Sequence, residues 1–290
     1  MRGFGPAPLF CARTSRPPNT FHVCFQYLTG SYIDSVTNKG NYGTTEWRRH
    51  FLSTSNHCLD RIYTGDLMSI SIPKPRKGIE KDIHTVAYAR EYVGGLSNVS
   101  KMPGRSWSIS ALECKEGSKL RAIPGTRCSI CYAMSNRYPM PVVQNALARR
   151  LKAFDKPLWV PMMARAINKD PHFRWFDSGD LQSVDMLRKI VHVCNLTPQT
   201  KHWLPTGEHE MVREYRKKYG SFPDNLIVRV SAIMIGGLPP RNFDQTSTIH
   251  PNADEPVMGQ ECPSYLQDGQ CQDCRACWDS EVRNVSYLAH

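Results

Sequence analysis

The chain has 290 residues, 40% of them hydrophobic and 22% charged, and this composition excludes an intrinsically disordered protein. Its 37 Lys and Arg residues exceed its 26 Asp and Glu residues, which gives a formal net charge of +11 at pH 7. Such an excess favours an anionic partner such as nucleic acid. The densest basic groups, at 148–150 and 216–220, lie in amphipathic helical patterns, however, so nucleic acid is only weakly supported as a partner.

The N-terminus and the 11 cysteines together predict the compartment in which the protein works. The N-terminus contains no apolar stretch of the length found in a secretory signal. No apolar run in the sequence is long enough to cross a membrane, so we expect no membrane contact. We therefore predict a cytoplasmic protein with reduced cysteines, and their odd number also argues against a complete set of disulfides.

Three regions of the chain differ in pattern. Residues 1–67 show no sustained helical or strand period and carry Gly and Asn breakers throughout, so we predict a poorly structured extension. Met68 precedes a cleaner segment and is a candidate for the native start. Residues 68–250 form the predicted core domain, and residues 251–290 form a tail that is poor in apolar residues. We expect a metal to order this tail.

From about residue 105 onward, predicted strands and helices alternate. Ser183 is a plausible N-cap for one helix, and Gly220 ends another. The alternation implies parallel strands covered by helices, either in an open α/β sheet or in a partial βα barrel of about four βα units. In chain order the predicted elements are a strand at 106–111, a helix at 142–154, a strand at 173–179, a helix at 183–194, a strand at 201–208, a helix at 208–220 and a long buried-type strand at 225–237.

The tail carries the densest group of cysteines, in the spacing C-x8-C-x2-C-x2-C. A C-x2-C-x2-C run lets three thiolates converge from one compact turn, as in ferredoxins that hold a [4Fe–4S] cube. Zinc is the alternative, because four thiolates also satisfy a tetrahedral structural site. We call these residues the tail cysteines; they are Cys262, Cys271, Cys274 and Cys277.

A second group, which we call the loop cysteines, follows the first predicted strand in the spacing C-x13-C-x2-C and consists of Cys114, Cys128 and Cys131. A cube held by three protein thiolates keeps one iron open for an exogenous ligand, which points to chemistry rather than structure. The alternative is that Cys128 and Cys131 share a zinc ion with other ligands. Cys194 stands alone on a predicted helix, and we expect it to be a core residue.

Polar residues also follow the predicted strands, where α/β folds place active sites. An acid at a strand end can bind a ligand amine or a metal, or it can cap the next helix, and both interpretations of Asp180 stay open. His290 is a candidate ligand at the end of the chain. The sequence contains no phosphate-binding loop, dinucleotide fingerprint or nucleophile elbow. The strand-end candidates are Asp177, Ser178, Asp180, Thr206, Glu208 and Ser231.

The ordered series "PGTRCSICYA", "FRWFDSGDL", "CQDCRACWD" and "VSYLAH" resembles the phage gene product 88 family over roughly residues 93–290. More distantly, it is similar to radical S-adenosylmethionine enzymes. This resemblance implies a bacteriophage-associated protein of the host cytoplasm, with a [4Fe–4S] cluster on the loop cysteines at the top of a partial βα barrel. It also implies that S-adenosylmethionine binds the open iron and a segment after the second strand. The segment Asp177 to Asp180 occupies the corresponding place. With Glu208 from the end of the third strand, the candidate cofactor-binding residues are Ser178, Gly179, Asp180 and Glu208.

The sequence departs from the radical-enzyme pattern in the spacing of the loop cysteines. That pattern is C-x3-C-x2-C with an aromatic residue before the third cysteine, whereas this chain has Ile130 there and Tyr132 after it. A non-catalytic protein, stabilised by zinc or by a cluster and binding nucleic acid or another protein, is therefore the alternative function. The substrate is not indicated by any motif.

Overall fold

The computed structural model describes residues 85–289, which belong to one compact unit. The predicted extension at 1–67 and His290 lie outside the described residues, and the proposed division into domains stays a prediction. The helices are α1 (Val86–Tyr92), α2 (Lys115–Leu120), α3 (Pro141–Phe154), α4 (Trp159–Ile167), α5 (Val184–Leu196) and α6 (His209–Tyr219). The strands are β1 (Ser97–Asn98), β2 (Arg105–Trp107), β3 (His172–Trp175), β4 (Lys201–Thr206), β5 (Leu226–Ser231), β6 (Gln245–His250), β7 (Gln260–Glu261) and β8 (Asn284–Leu288).

All eight strands join in one mostly parallel sheet, so the predicted mixed α/β class is confirmed. The strand order is β1-β2-β3-β4-β5-β6-β8-β7, and only β1 runs antiparallel to its neighbour. The parallel strands β2, β3, β4, β5, β6 and β8 therefore lie side by side in chain order. The short strand β7 lies outside this order, at the edge of the sheet next to β8. Their carboxyl ends meet at one edge of the sheet, and we call it the C-terminal edge.

Local signals in the sequence set the limits of several helices. The side chain of Ser183 accepts a hydrogen bond from the Met186 amide and caps α5, as predicted. Pro141 begins α3, where its missing N–H costs nothing. Gly220 follows α6 with a φ of +87°, a left-handed conformation that suits glycine.

Large aromatic side chains pack between the helices and one face of the sheet. Trp107 of β2 meets Trp159 of α4 edge to face, with ring centroids 5.3 Å apart. Trp175 of β3 packs 6.2 Å from the same ring, and all three indoles are fully buried. Each such side chain removes a large apolar area from water. The cluster therefore contributes several kcal/mol to the stability of the packing between the helices and this face of the sheet.

The opposite face of the sheet is covered by the tail, which packs there through a few apolar side chains although it is poor in apolar residues. Trp278 is buried, stacks edge to face on Trp203 of β4 at 5.2 Å and donates its Nε1–H to the Phe173 carbonyl at 3.0 Å. Val285 of β8 joins the same cluster. We call this face, with Trp203 at its centre, the tail side.

Several predicted boundaries were wrong. The predicted strand at 106–111 ends at Trp107, because Ser110 instead caps a 3-10 turn at Ala111–Glu113. The last predicted strand, at 225–237, ends at Ser231. Helix α4 and strands β6 and β8 were not predicted. Within residues 85–289, no helix combines the length and the apolar character that crossing a membrane requires.

Candidate functional site

The loop that carries the loop cysteines leaves β2 and lies across the C-terminal edge. The Arg127 amide donates to the Ile233 carbonyl at 2.9 Å, and its guanidinium donates to the Ala232 carbonyl at 2.9 Å. The Glu116 amide donates to the Glu208 carboxylate at 2.9 Å. The loop is therefore held by the ends of β4 and β5, which lie about 100 residues after β2 in the sequence.

Two of the loop thiols lie close to Gly117, where an added Cβ would come within 2.8 Å of the Cβ of Cys114. A Cβ atom placed on Gly117 would lie 3.6 Å from the Sγ of Cys114 and 3.8 Å from the Sγ of Cys128. Burial raises the pKa of Cys114 far above its ordinary value, and the charges of Asp180 and Cys131 raise it further. Burial likewise raises the pKa of Cys128. The thiols are thus neutral at pH 7, and a metal that binds them must displace their protons.

Asp180 and Glu208 lie beside these thiols. Asp180 accepts hydrogen bonds from the Thr206 hydroxyl at 2.6 Å and from the amides of Gly207 and Leu181 at 2.7 and 2.8 Å. It therefore links the end of β3 to the end of β4, while Ser183 caps α5. The alternative that Asp180 is a helix cap is wrong. Glu208 is 4% exposed, and its carboxylate faces the loop.

Asp177 is the centre of a second polar network at the end of β3. Its carboxylate accepts hydrogen bonds from the hydroxyls of Ser106, Ser108 and Tyr138, the last at 3.1 Å. The Tyr132 hydroxyl donates to the Asp177 carbonyl. These bonds occupy most of the acceptor positions of the Asp177 carboxylate and carbonyl oxygens. We therefore infer that Asp177 holds the loop in position.

The four tail thiols form their own group on the tail side. Burial raises the pKa of Cys271, and the charges of Cys262 and Cys274 raise it further. Burial raises the pKa of Cys277 to about 12, although its hydrogen bond with Tyr287, at 3.2 Å, acts in the opposite direction. The charge of Cys262 also acts on Cys277, so Cys262 affects the pKa of both Cys271 and Cys277.

Arg229 of β5 fixes the chain around Cys277. Its side chain is fully buried, and its guanidinium donates five hydrogen bonds to backbone carbonyl oxygens. Four of the acceptors belong to the tail, at Ala276, Cys277, Asp279 and Val282, and the fifth is Thr246 of β6.

Neither group of cysteines encloses a single ion as the side chains stand. Among residues 85–289, no group of three or more His, Cys, Asp and Glu side chains is arranged to hold a metal ion. All eight cysteines of this part of the chain are free thiols. Cys194 is fully buried on α5, as predicted for a core residue.

The carboxyl group of Asp180 should make stability fall as pH rises. Burial raises its pKa from 3.8 to about 6, against the opposing hydrogen bonds of Thr206, Gly207 and Leu181. Between about pH 4 and pH 6 the unfolded chain loses this proton while the folded chain retains it, so ionisation favours unfolding. We expect the unfolding free energy of the wild type, relative to Asp180→Asn, to decrease across this window and to level off above it. Urea unfolding of both proteins across this range measures the difference; a rising difference would contradict the assignment.

The structure brings together most, but not all, of the predicted site residues. The loop cysteines, Asp180 and Glu208 meet at the C-terminal edge. Ser178 is 3% exposed, and its hydroxyl has no partner among the described residues, so its predicted role as a cofactor ligand stays a prediction. Ser231 instead bonds the Ser247 hydroxyl at 3.0 Å.

Sequence reasoning missed two arginines that lie near the cysteines, Arg174 and Arg229. The signal was a single charged residue within each apolar run, "FRWF" and "IVRV". A long cationic side chain is rarely placed inside such a strand without a specific partner.

Comparison with protein families is consistent with the resemblance seen in the sequence. The model of the family described as Gene product 88 matches residues 77–280, a segment that contains both groups of cysteines and all strands from β1 to β7. No curated protein and no solved structure matches the chain.

Proposed function

The chain belongs to the gene product 88 family of phage proteins, and on this premise we propose that it is an iron–sulfur protein resembling radical S-adenosylmethionine enzymes. In this proposal the loop cysteines hold one [4Fe–4S] cluster with an open iron, and the tail cysteines hold a second cluster. The observation that carries it is the position of three thiols, beside two carboxylates, at the C-terminal edge of a parallel sheet.

The strand order supports a partial βα barrel. Crossovers between parallel strands are right-handed, so strands that succeed one another in chain order place all their helices on one face. Strands β2 to β6 have this order, and the aromatic cluster of α4 packs on one face while the tail covers the other. The concave side of such a barrel would be the tail side, and its mouth would be the C-terminal edge, where the loop cysteines lie.

The sequence spacing of the tail cysteines favours a cluster over zinc, because zinc sites usually pair two C-x2-C hairpins across a longer spacer, whereas Cys271, Cys274 and Cys277 share one run. Ligands of one zinc ion lie close together because all of them bind the same atom at about 2.3 Å. Each thiolate of a cube binds a different iron, so its thiols stand farther apart.

When bound, the cluster and S-adenosylmethionine would supply one-electron reduction of the cofactor and hence radical chemistry. The chain would supply the binding groups. Glu208 and Asp180 place negative charge beside the thiols, where the amino group of the cofactor needs an acceptor. Asp180 already accepts three hydrogen bonds, so Glu208, which accepts one from the Glu116 amide, has more acceptor capacity left.

The test is anaerobic purification followed by iron, sulfide and zinc analysis, and by EPR of the reduced protein with and without S-adenosylmethionine. Two cubes correspond to about eight irons per chain. We expect that content, with an EPR signal that changes when the cofactor is added.

A matched pair of variants assigns the clusters. Changing the three loop cysteines to Ala should remove about half of the iron and abolish the response to S-adenosylmethionine, while changing the four tail cysteines should leave that response. Stoichiometric zinc without an EPR signal would overturn the proposal and favour a non-catalytic, zinc-stabilised protein.

A further inference from the structure

Arg174, on β3, lies between the two groups of cysteines. Its Nη2 donates to the Tyr132 hydroxyl at 3.2 Å, and Tyr132 directly follows Cys131. On the other side, the positive charge of Arg174 acts on Cys271 and Cys277 of the tail. Its guanidinium lies over the ring of Trp203, 4.5 Å from the centroid, which orients it on the tail side.

The guanidinium of Arg174 has no acidic partner in the part of the chain that the structure describes. No carboxylate of residues 85–289 makes an ion pair with it. The carboxylate of Asp177 influences it electrostatically but is bound by Ser106, Ser108 and Tyr138.

Its hydrogen bonds are also incomplete. The Nε atom is buried and has no hydrogen-bond partner among the described residues. The Nη1 atom donates only to the sulfur of Met102, a weak acceptor, at 3.5 Å. An unsatisfied donor on a buried cation is costly, so such a group points to a missing acceptor.

Arg229, on the same side of the sheet, shows what a purely structural arginine looks like here. Its guanidinium is saturated by five carbonyl oxygens. Arg174 instead has free donors on a planar fork, the geometry that binds a carboxylate or a phosphate with two parallel hydrogen bonds.

We propose that Arg174 binds the anionic group, a carboxylate or a phosphate, of the molecule on which the protein acts. The identity of that molecule as a substrate rests on the proposed function, whereas the anion site itself does not. The ligand would lie on the tail side, between the loop cysteines and the tail cysteines, with Tyr132 and Trp203 beside its charged end.

The experiment is calorimetric titration of the full-length, anaerobically purified protein with sodium acetate and, separately, with inorganic phosphate, at constant ionic strength. Saturable binding of one of the two anions is expected, and the preferred anion distinguishes a carboxylate from a phosphate. Arg174→Met should weaken that binding about tenfold or more, because a charge-assisted bidentate contact is lost. Arg174→Lys, which retains the charge but not the fork, should give an intermediate loss.

Arg213→Met is the control, since Arg213 is an exposed arginine of α6 and its loss changes the net charge equally. Its anion affinity should equal that of the wild type. Iron content and circular dichroism of every variant show whether clusters and fold persist, so loss of the clusters and loss of the anion site are distinguishable. Absence of saturable binding in the wild type, or unchanged binding in a folded Arg174→Met protein, would overturn the proposal.

Discussion

Replacing Arg229 with Met should lower the free energy of unfolding by at least about 3 kcal/mol, because several buried carbonyl groups lose their donor at once. From its place on β5, the guanidinium bonds carbonyl groups of both β6 and the tail. Met fills a similar length but donates nothing. The loss should therefore be larger than the removal of one ordinary hydrogen bond, which costs about 1 kcal/mol.

Urea unfolding followed by tryptophan fluorescence measures this effect, since Trp278 and Trp203 report the packing of the tail. Arg229→Lys should restore part of the stability, because an ammonium still donates but cannot reach five acceptors. Arg275→Met is the control, because the hydrogen bonds of Arg275 within residues 85–289 go to the carbonyls of Gln272 and Cys274, in its own segment. Equal stability of the Arg229→Met and Arg275→Met proteins would show that Arg229 does not hold the tail.

The sequence predicts those elements of this fold whose signals are local. Helix α3 was predicted at 142–154 and is observed at Pro141–Phe154, because its apolar residues recur at helical spacing. The cap of α5 at Ser183 and the end of α6 at Gly220 depend on neighbouring residues only. Alternation of strands and helices was enough to predict a parallel α/β sheet.

Elements that depend on distant partners were missed. Strand β6, "QTSTIH", has little apolar character, and its Thr246 and Thr248 hydroxyl groups are buried because both bond the side chain of Asn284 on β8. No periodicity in either segment reveals this pairing. The apolar packing of the tail was also missed, since Trp278 and Val285 pack against the sheet. The metal that we expect to order the tail stays a prediction.

The candidate site also has a part that the sequence predicts and a part that depends on contacts between distant residues. Cysteine spacing predicts two groups of thiols, and their role as metal ligands stays a prediction. The sequence could not predict that Glu208 would face the loop cysteines, since that contact joins residues 92 positions apart in the chain. Nor could it predict the partners of Arg174, because periodicity gives the side of a strand on which a residue lies but not what covers that side.

Gly179→Ala should be the most damaging small substitution near the site. Gly179 has a φ of +77°, and an added Cβ would lie 2.4 Å from Cγ1 of Ile109 and 2.7 Å from its carbonyl oxygen. The Ile109 amide bonds the Ser178 carbonyl at 3.3 Å, and Ile109 is fully buried, so neither segment can move away without loss of packing. We expect a loss of about 2–4 kcal/mol, of which the left-handed backbone accounts for about 1–2 kcal/mol.

Gly220→Ala separates the backbone cost from the steric one. Gly220 has a similar φ of +87°, but no atom lies within 4 Å of the added Cβ, so only the conformational cost of about 1–2 kcal/mol applies. Denaturant midpoints of the two variants measure the difference. Asp180 directly follows Gly179, and its charge acts on the Cys114 thiol. Gly179→Ala should therefore also displace Asp180 and, under the proposed function, reduce iron retention, whereas Gly220→Ala should not. Equal midpoints and equal iron content in both variants would mean that the end of β3 adapts freely, and that Asp180 is not held in place by this close contact.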